Sequence, residues 1–542
     1  MAGLAGAVAV SRIVVIGAGV GGLTAAIRLA EAGHRVEVYE RSAVAGGKLG
    51  AYRRDGFTFD TGPNLLTLPA LFDGLNLPLR PLDPVVRHVF ADGSVLDSSS
   101  DVDVFAARIA AAFGAAAADD WARFWRRARR IWNASWRSVL RRPVTAATLT
   151  GLSWRANDLR AIAPGRSLRA LGRQYLRDPR LRMLVDRYAT YAGADPRRAP
   201  AALAAIPYAE LAFGGWTVPG GLHGIATALT DRCTTLGVPV VLNSPVERIL
   251  TGHSGTATVA GRDVAGPGEA WLDRRGAWLD RRGPGGAWLD RRGSSGAWLD
   301  RRGPGGVRAG GGVAGVRLAC GTEVPADIVV SNVDALSTYR DLLPSPARLA
   351  GLADRSLAGF VMLLGVRGST PALAHHTVFF PRHYDAEFDA VFAADGRRAR
   401  PAADPAVFVT RSTDPSMHPP GQEAWFVLVN APRHGTAWTA VDWSRPGLAE
   451  AYGDRVLAVL AARGLDVRNR LVFAETRTPR DLAAATATPG GAIYGTAGGL
   501  LRTPNRGPVD GLWLVGGSTH PGGGLPMVTL SARIVADAIG PA

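Results

Sequence analysis

The chain of 542 residues is poor in cysteine, in lysine and in long apolar runs. Its two thiols, Cys233 and Cys320, are too few and too far apart in sequence for a disulfide scaffold or a zinc site, which fits a reducing compartment. Lys48 is the only lysine among 62 basic residues, so the formal net charge of +16 is carried almost wholly by arginine. Codon usage can produce such a bias without any anionic partner, so meaning is sought in local concentrations of arginine rather than in the total. No apolar run reaches ~18 residues, which argues against a spanning helix and confines any bilayer contact to the periphery. Met1 to Val10 lacks the basic flank and the length of a secretory signal, so no export is expected.

With 47% apolar residues, a chain this long can bury more than one core, and two or three packed subdomains are expected. Arg12 to Ile16 reads as a buried strand, Gly17 to Gly22 as a tight turn and Leu23 to Ala32 as a helix ended by Gly33, with a second strand over His34 to Glu40. From Leu71 to about Tyr191 the pattern is helical and rich in Ala, Arg and Trp. A helix over Leu222 to Leu236, a strand over Pro239 to Leu242 and a buried strand over Asp327 to Ser331 rejoin the first unit. Tyr339 to Ala474 mixes apolar runs with Pro-rich connections, as an antiparallel sheet does. The heptapeptide Ala-Trp-Leu-Asp-Arg-Arg-Gly occurs four times from Ala270, with a period that changes from seven to ten residues. Units this short, broken by Gly and Pro, cannot stack as a solenoid, so they read as a loop inserted at a surface hairpin, with a Trp/Arg interaction tether as the alternative. Deleting Ala270 to Gly303 should leave ligand binding and activity intact.

Gly17-Ala18-Gly19-Val20-Gly21-Gly22 supplies G-x-G-x-x-G between strand and helix, the context that gives the motif meaning. Gly17 permits the turn, Gly19 lets backbone approach a pyrophosphate, Gly22 lets the helix pack on the strand, and the free N–H groups attract negative charge. Glu40 ends the second strand where a carboxylate meets the ribose hydroxyls of an adenine dinucleotide. The motif alone does not separate FAD from NAD.

Glu40-Arg41 followed by Gly46-Gly47-Lys48 resembles the segment after the dinucleotide fold in the flavin amine oxidase and phytoene desaturase superfamily. The resemblance implies FAD, with Lys48 near the pyrophosphate where arginine is commoner, keeping the charge but losing a bidentate donor. Phe57-Thr58-Phe59-Asp60-Thr61-Gly62-Pro63 is similar to the loop that approaches the flavin in phytoene desaturases and related carotenoid-modifying enzymes, and assigns Thr61, Gly62 and Pro63 to the cofactor. The tail, Gly516-Gly517-Ser518-Thr519-His520-Pro521-Gly522-Gly523-Gly524 before a closing helix from Pro526, also matches. It implies contacts from Gly517 and from the N–H groups of Met527 and Val528 at the positive end of that helix. Val246 completes the implied cofactor set. The segments Tyr191 to Pro196, Val218 to Gly221 and Ala326 to Asn332 follow the family pattern in order, and the repeat is the main departure. Ala189-Thr190-Tyr191 and the Gly-Gly-Ser-Thr-His-Pro-Gly-Gly-Gly form look closest to the acyclic carotenoid 3,4-desaturases.

The expected fold class is therefore α/β: a Rossmann-type FAD-binding domain, a mixed-sheet substrate domain and a helical membrane-facing subdomain. The FAD-binding domain takes residues 1–75, 211–335 with the insertion 265–306, and 481–542; the helical subdomain takes 76–210 and the substrate sheet 336–480. The implied activity is FAD-dependent desaturation of an acyclic carotenoid, C-3,4 favoured. Phytoene desaturase, carotenoid isomerase or saturase, and flavin amine or porphyrinogen oxidase remain as alternatives. Desaturation removes a hydride and a proton from adjacent carbons, and a flavin N5 is a suitable hydride acceptor. His520 is the candidate proton acceptor, with loop-shaping as its alternative role.

Trp121, Trp125, Ala128, Trp132, Trp136 and Val139 share one face of a helix over Trp121 to Arg142, with Arg123, Arg126, Arg127, Arg130, Arg137 and Arg141 opposite. The tryptophans either insert into a membrane surface or pack in the core. The expected partners are an acyclic carotenoid, a membrane surface and a quinone or other electron acceptor, with no nucleic acid. The expected location is the cytoplasm, peripheral on the inner face of the cell membrane.

Overall fold

The computed structural model describes residues 10–145, 148, 150, 151, 155–252, 311–497 and 502–542. The four heptapeptide copies lie outside these residues, but the chain on either side is placed. Thr251 pairs with Val313, and the Gly252 N–H donates to the Gly312 carbonyl at 3.0 Å, so the insertion joins the two strands of one antiparallel hairpin.

The Val and Ile residues of Arg12–Ile16 are buried on both faces, which makes this the central strand of a parallel sheet. The order across the sheet is Leu512–Leu514, Ile328–Ser331, Arg12–Ile16, Arg35–Tyr39 and Val240–Val241. Three well-separated stretches of chain thus build one sheet. The helix Val20–Glu31 packs against the C-terminal helix Leu525–Ile539 and against Gly224–Thr235. The strands' carboxyl ends bring Gly17, Glu40, Asn332 and Gly516 to one edge.

A second sheet of seven strands runs Leu471–Arg477, Ala358–Arg367, Gln422–Ala431, Val407–Arg411, His376–Phe379, Arg87–Val89 and Val95–Asp97. It is mixed, because His376–Phe379 pairs in parallel with Arg87–Val89. Its last hairpin adds strands to the region 76–210, which the sequence reading placed in a mainly helical unit. Both strands of that hairpin have only three residues, too short to show periodicity.

The helical unit includes Val102–Phe113, capped by the Asp101 carboxylate on the Asp103 and Val104 N–H groups, then Ala115–Ser135, Leu168–Tyr175, Pro179–Arg187 and Ala205–Phe213. Of the two placements expected for the tryptophan helix, the structure shows the packed one. The helix ends at Ser135 in a π-helical turn over Trp136–Leu140, and Trp121 and Trp132 are only 2% and 7% exposed. Trp125 lies 4.7 Å from Tyr208 and Trp132 lies 5.5 Å from Phe213, ring centre to ring centre. The tryptophan face is core, filled by Ala205–Phe213; the opposite face, with Arg123, Arg126, Arg130 and Arg137, is exposed. An apolar stripe is identical in sequence whether a protein helix or a lipid covers it.

Candidate cofactor and substrate site

At the carboxyl edge of the parallel sheet Gly17 has φ +96°, and its N–H donates to the Tyr39 carbonyl at 2.8 Å, locking the turn to the second strand. The following helix has Gly19 at its N-cap, no side-chain cap and no acidic residue in its first turn. Its leading N–H groups are thus left for an anion. A Cβ on Gly22 would lie 2.1 Å from the Gly17 carbonyl oxygen, so the turn excludes even alanine. On Gly19, Gly21 and Gly516 a Cβ would come within 2.6, 2.7 and 2.7 Å of the Asn332 amide. Asn332 fills the space these glycines leave. It had been noted only as part of a matching segment, and its signal is its position directly after a buried parallel strand.

Glu40 is buried at the end of the second strand, where Oε2 accepts the Ala18 N–H at 2.7 Å and Oε1 accepts the Ser42 N–H at 2.9 Å. Each oxygen keeps a lone pair for a ribose hydroxyl. The Ser244 N–H donates to the Glu40 carbonyl, and Val246 opens the next strand, so this end of the site also draws on the returning chain. Arg41 points elsewhere: its guanidinium donates to the Ala484 carbonyl at 2.6 Å.

Gly46 and Gly47 press the next loop onto the first. Gly46 donates to the Ala18 carbonyl, and a Cβ on Gly47 would lie 3.2 Å from the Gly19 Cα. Lys48 keeps solvent-accessible surface although protein surrounds it, as expected of a side chain on the wall of an internal cleft. Its ammonium donates to the carbonyls of Ala492 and Ile493 at 3.2 and 2.8 Å. This enclosure pushes its pKa down to about 8, opposed by the Asp334 carboxylate and reinforced by the Arg355 charge. Thr61, Gly62 and Pro63 pack under the same loop: Thr61 donates to the Gly50 carbonyl at 2.9 Å, and a Cβ on Gly62 would lie 1.8 Å from the Lys48 carbonyl oxygen.

The C-terminal glycine loop closes the site. Gly517 lies against Gly523 and Val528, and a Cβ on Gly523 would lie 2.5 Å from the Tyr494 ring. Helix Leu525–Ile539 starts without a side-chain cap. One detail differs from expectation: the Val528 N–H already donates to the Gly524 carbonyl at 3.0 Å, which leaves the Met527 N–H as the free donor of the pair. His520 is fully buried, and its Nε2–H donates to the Val139 carbonyl at 3.1 Å, tying the loop to the π-helical turn. Burial pushes its pKa down to about 4, so it is neutral and a weak base. This geometry suits the loop-shaping role better than the catalytic one.

Behind Lys48 stands a group of cations that the sequence did not reveal. Arg355 is 5% exposed and donates to Asp334 at 2.7 Å; Arg502 is 7% exposed and donates to the carbonyls of Tyr494 and Ala192, both at 3.2 Å. Burial and the Arg355 charge push the pKa values of Arg433 and Arg502 down, the latter to about 10. These residues come from four separate segments, so only the folded chain shows that they meet.

The uncapped helix start, the glycines with no room for a Cβ and the cationic wall fit a dinucleotide with a pyrophosphate and an electron-rich ring. Residues 20–267 match the family model of flavin containing amine oxidoreductases. The chain is 31% identical to a 4,4'-diapolycopene oxygenase of Methylomonas sp, over 97% of this chain and 98% of that protein. It is also 31% identical to the hydroxyneurosporene desaturase of Cereibacter sphaeroides (98% and 97% covered). The chain belongs to the FAD-dependent carotenoid desaturase and oxygenase family. A 1-hydroxycarotenoid 3,4-desaturase of Flavobacterium sp. is 28% identical, with 97% and 99% covered. Among solved structures, an oxidoreductase from Methanosarcina mazei (TM-score 0.58, 17% identity, 97% and 100% covered) and putrescine oxidase bound to putrescine (TM-score 0.54, 15% identity, 98% and 99% covered) share the fold.

In this FAD-dependent oxidoreductase the residues that would hold the cofactor are Gly17 to Gly22, Glu40, Gly46 to Lys48, Thr61 to Pro63 and Gly516 to Met527. Bound FAD supplies a two-electron acceptor. The protein's part would be to receive the pyrophosphate at the start of the first helix, to offer positive charge from Lys48 and from the second helix end, and to keep water from the reacting carbons.

Proposed function

We propose that this enzyme introduces a C=C bond into an acyclic carotenoid, at the C-3,4 position of a 1-hydroxylated end. The observation that carries this reading is full-length similarity to relatives named for acyclic carotenoids, two of them for hydroxylated ones. The site adds support. His520 is neutral and occupied by Val139, so it offers no strong base, as suits a reaction in which the conjugated chain itself delocalises the charge left by hydride loss. The proton then leaves to a weak acceptor.

A water-insoluble substrate also requires access from lipid. In the proposed arrangement the enzyme lies in the cytoplasm and docks on the inner face of the cell membrane, and a quinone or another membrane-borne acceptor reoxidises the flavin. With the tryptophans in the core, docking would rest on the exposed arginines of the same helix and would weaken as salt rises. A second reading, oxidation at a terminal carbon, is favoured by the oxygenase relative.

Expression in bacteria that accumulate either phytoene or a 1-hydroxylated acyclic carotenoid separates the readings. The proposal predicts conversion of the hydroxylated substrate alone, with loss of two hydrogens and a red shift. Conversion of phytoene would move the enzyme to an earlier step, and gain of oxygen at a terminal carbon would favour the second reading.

A further inference from the structure

The substrate side of the site holds a polar cluster in apolar surroundings. Arg187, at the end of helix Pro179–Arg187, is 0% exposed and is stacked under Tyr188, Tyr191 and Phe408, with its guanidinium carbon 5.4, 4.9 and 4.9 Å from the three ring centres. Its Nη2 donates to the Tyr191 hydroxyl, and its Nη1 faces His88 Nε2 at 3.4 Å. His88 is neutral, since burial pushes its pKa down to about 3. Glu210, 2% exposed, accepts from Tyr188 at 2.7 Å, and its charge acts on the Tyr191 hydroxyl. A buried cation and carboxylate joined only through tyrosine hydroxyls give less stability than a well-packed apolar replacement, so stability alone does not account for the cluster. Nor is the cluster closed: Arg187 Nε and the Tyr384 hydroxyl, both buried, have no hydrogen-bond partner among the described residues.

One member reaches the cleft. Tyr191 keeps accessible surface although protein encloses it, as do Tyr494 and Lys48. The next residue, Ala192, accepts a hydrogen bond from Arg502, which also holds the Tyr494 carbonyl, and the Tyr494 ring lies on Gly523 of the cofactor loop. Tyr191 therefore lies in a segment tied to the loop that would meet the cofactor, and its hydroxyl is held by the Arg187 cation with the Glu210 carboxylate behind. This placement has a chemical consequence. In a 1-hydroxylated acyclic carotenoid the oxygen is only three bonds from C-3, so an enzyme acting on C-3 and C-4 must meet that oxygen beside the reacting carbons.

We infer that Tyr191, set by Arg187 and Glu210, recognises an oxygen atom on the end group of the carotenoid and selects oxygenated over hydrocarbon ends. This rests on the desaturase reading above and assigns its end-group specificity to a site. A buried polar site discriminates strongly, because a substrate lacking the oxygen leaves its groups unpaired.

The test uses the full-length FAD-loaded enzyme in liposomes carrying either a 1-hydroxylated acyclic carotenoid or the same carotenoid without the hydroxyl. Wild type should favour the hydroxylated substrate in kcat/KM. Tyr191→Phe should reduce that preference about tenfold, mainly through KM for the hydroxylated substrate, with FAD content and Tm retained. Glu210→Gln, which keeps the shape but not the charge, should reduce it in the same direction. Equal losses on both substrates would mark Tyr191 as structural and overturn the inference, as would an unchanged preference in Tyr191→Phe. Wild type acting equally on both would overturn the site alone, whereas wild type acting on neither would overturn the desaturase reading and the site with it.

Discussion

Lys48 gives the sharpest quantitative prediction. Its enclosure lowers its pKa from an ordinary 10.5 to about 8, so in the FAD-free protein its charge is present below pH 8 and lost above it. Between pH 7 and pH 9 the protonated fraction falls from roughly nine-tenths to roughly one-tenth. If the bound cofactor's phosphates keep the ammonium charged, FAD must recruit a proton at pH 9 that is already present at pH 7, and the apparent Kd rises about tenfold. The same shift has the opposite effect on the FAD-free fold. The unfolded chain binds the proton more tightly, so the lysine's contribution to stability grows as pH rises from 8 towards 10.5. Flavin fluorescence titrations of FAD-free protein at the two pH values measure the first effect directly. Lys48→Arg should flatten the dependence, because a guanidinium stays charged throughout. A flat wild-type profile, or the same slope in Lys48→Arg, would refute the assignment of Lys48 to the cofactor's charge.

Gly22→Ala should cost about 1–3 kcal/mol and release flavin on gel filtration, because its Cβ would meet the Gly17 carbonyl at 2.1 Å and neither backbone can yield; full flavin retention would contradict this packing. Trp132→Ala should cost ~3–5 kcal/mol in urea denaturation, since the side chain is 7% exposed in the core, whereas a negligible cost with lost liposome binding would restore an interfacial role. His520→Gln should destabilise the fold at pH 7, and that cost should shrink by about 2 kcal/mol by pH 5. The sign follows from its low pKa of about 4: the unfolded wild type takes up the proton first as pH falls, a loss the variant escapes. A cost independent of pH would contradict burial of His520 in its neutral form.

The nucleotide half was legible because its signals are local. Gly17 to Gly22 lie between a strand and a helix, Glu40 ends the next strand, and these residues meet through neighbouring chain. The Ile328–Ser331 strand was found from a short apolar run next to turn residues, and it pairs with Leu512–Leu514 in the sheet. The tryptophan helix shows where such reading stops. Its two faces were assigned correctly, but the choice of lipid or protein as cover depended on Tyr208 and Phe213, which come from a distant segment. The cationic wall of Lys48, Arg355, Arg433 and Arg502 was hidden for the same reason. In a chain this rich in arginine, no single one stands out until burial separates it from the solvated rest.

The most direct test of the central claim is an anaerobic single turnover of the FAD-loaded enzyme with a 1-hydroxylated acyclic carotenoid in liposomes, following flavin absorbance and product mass together. The account predicts one flavin bleached for each carotenoid that loses two hydrogens. Flavin that stays oxidised while the carotenoid is unchanged, or bleaching only with amines, would contradict it.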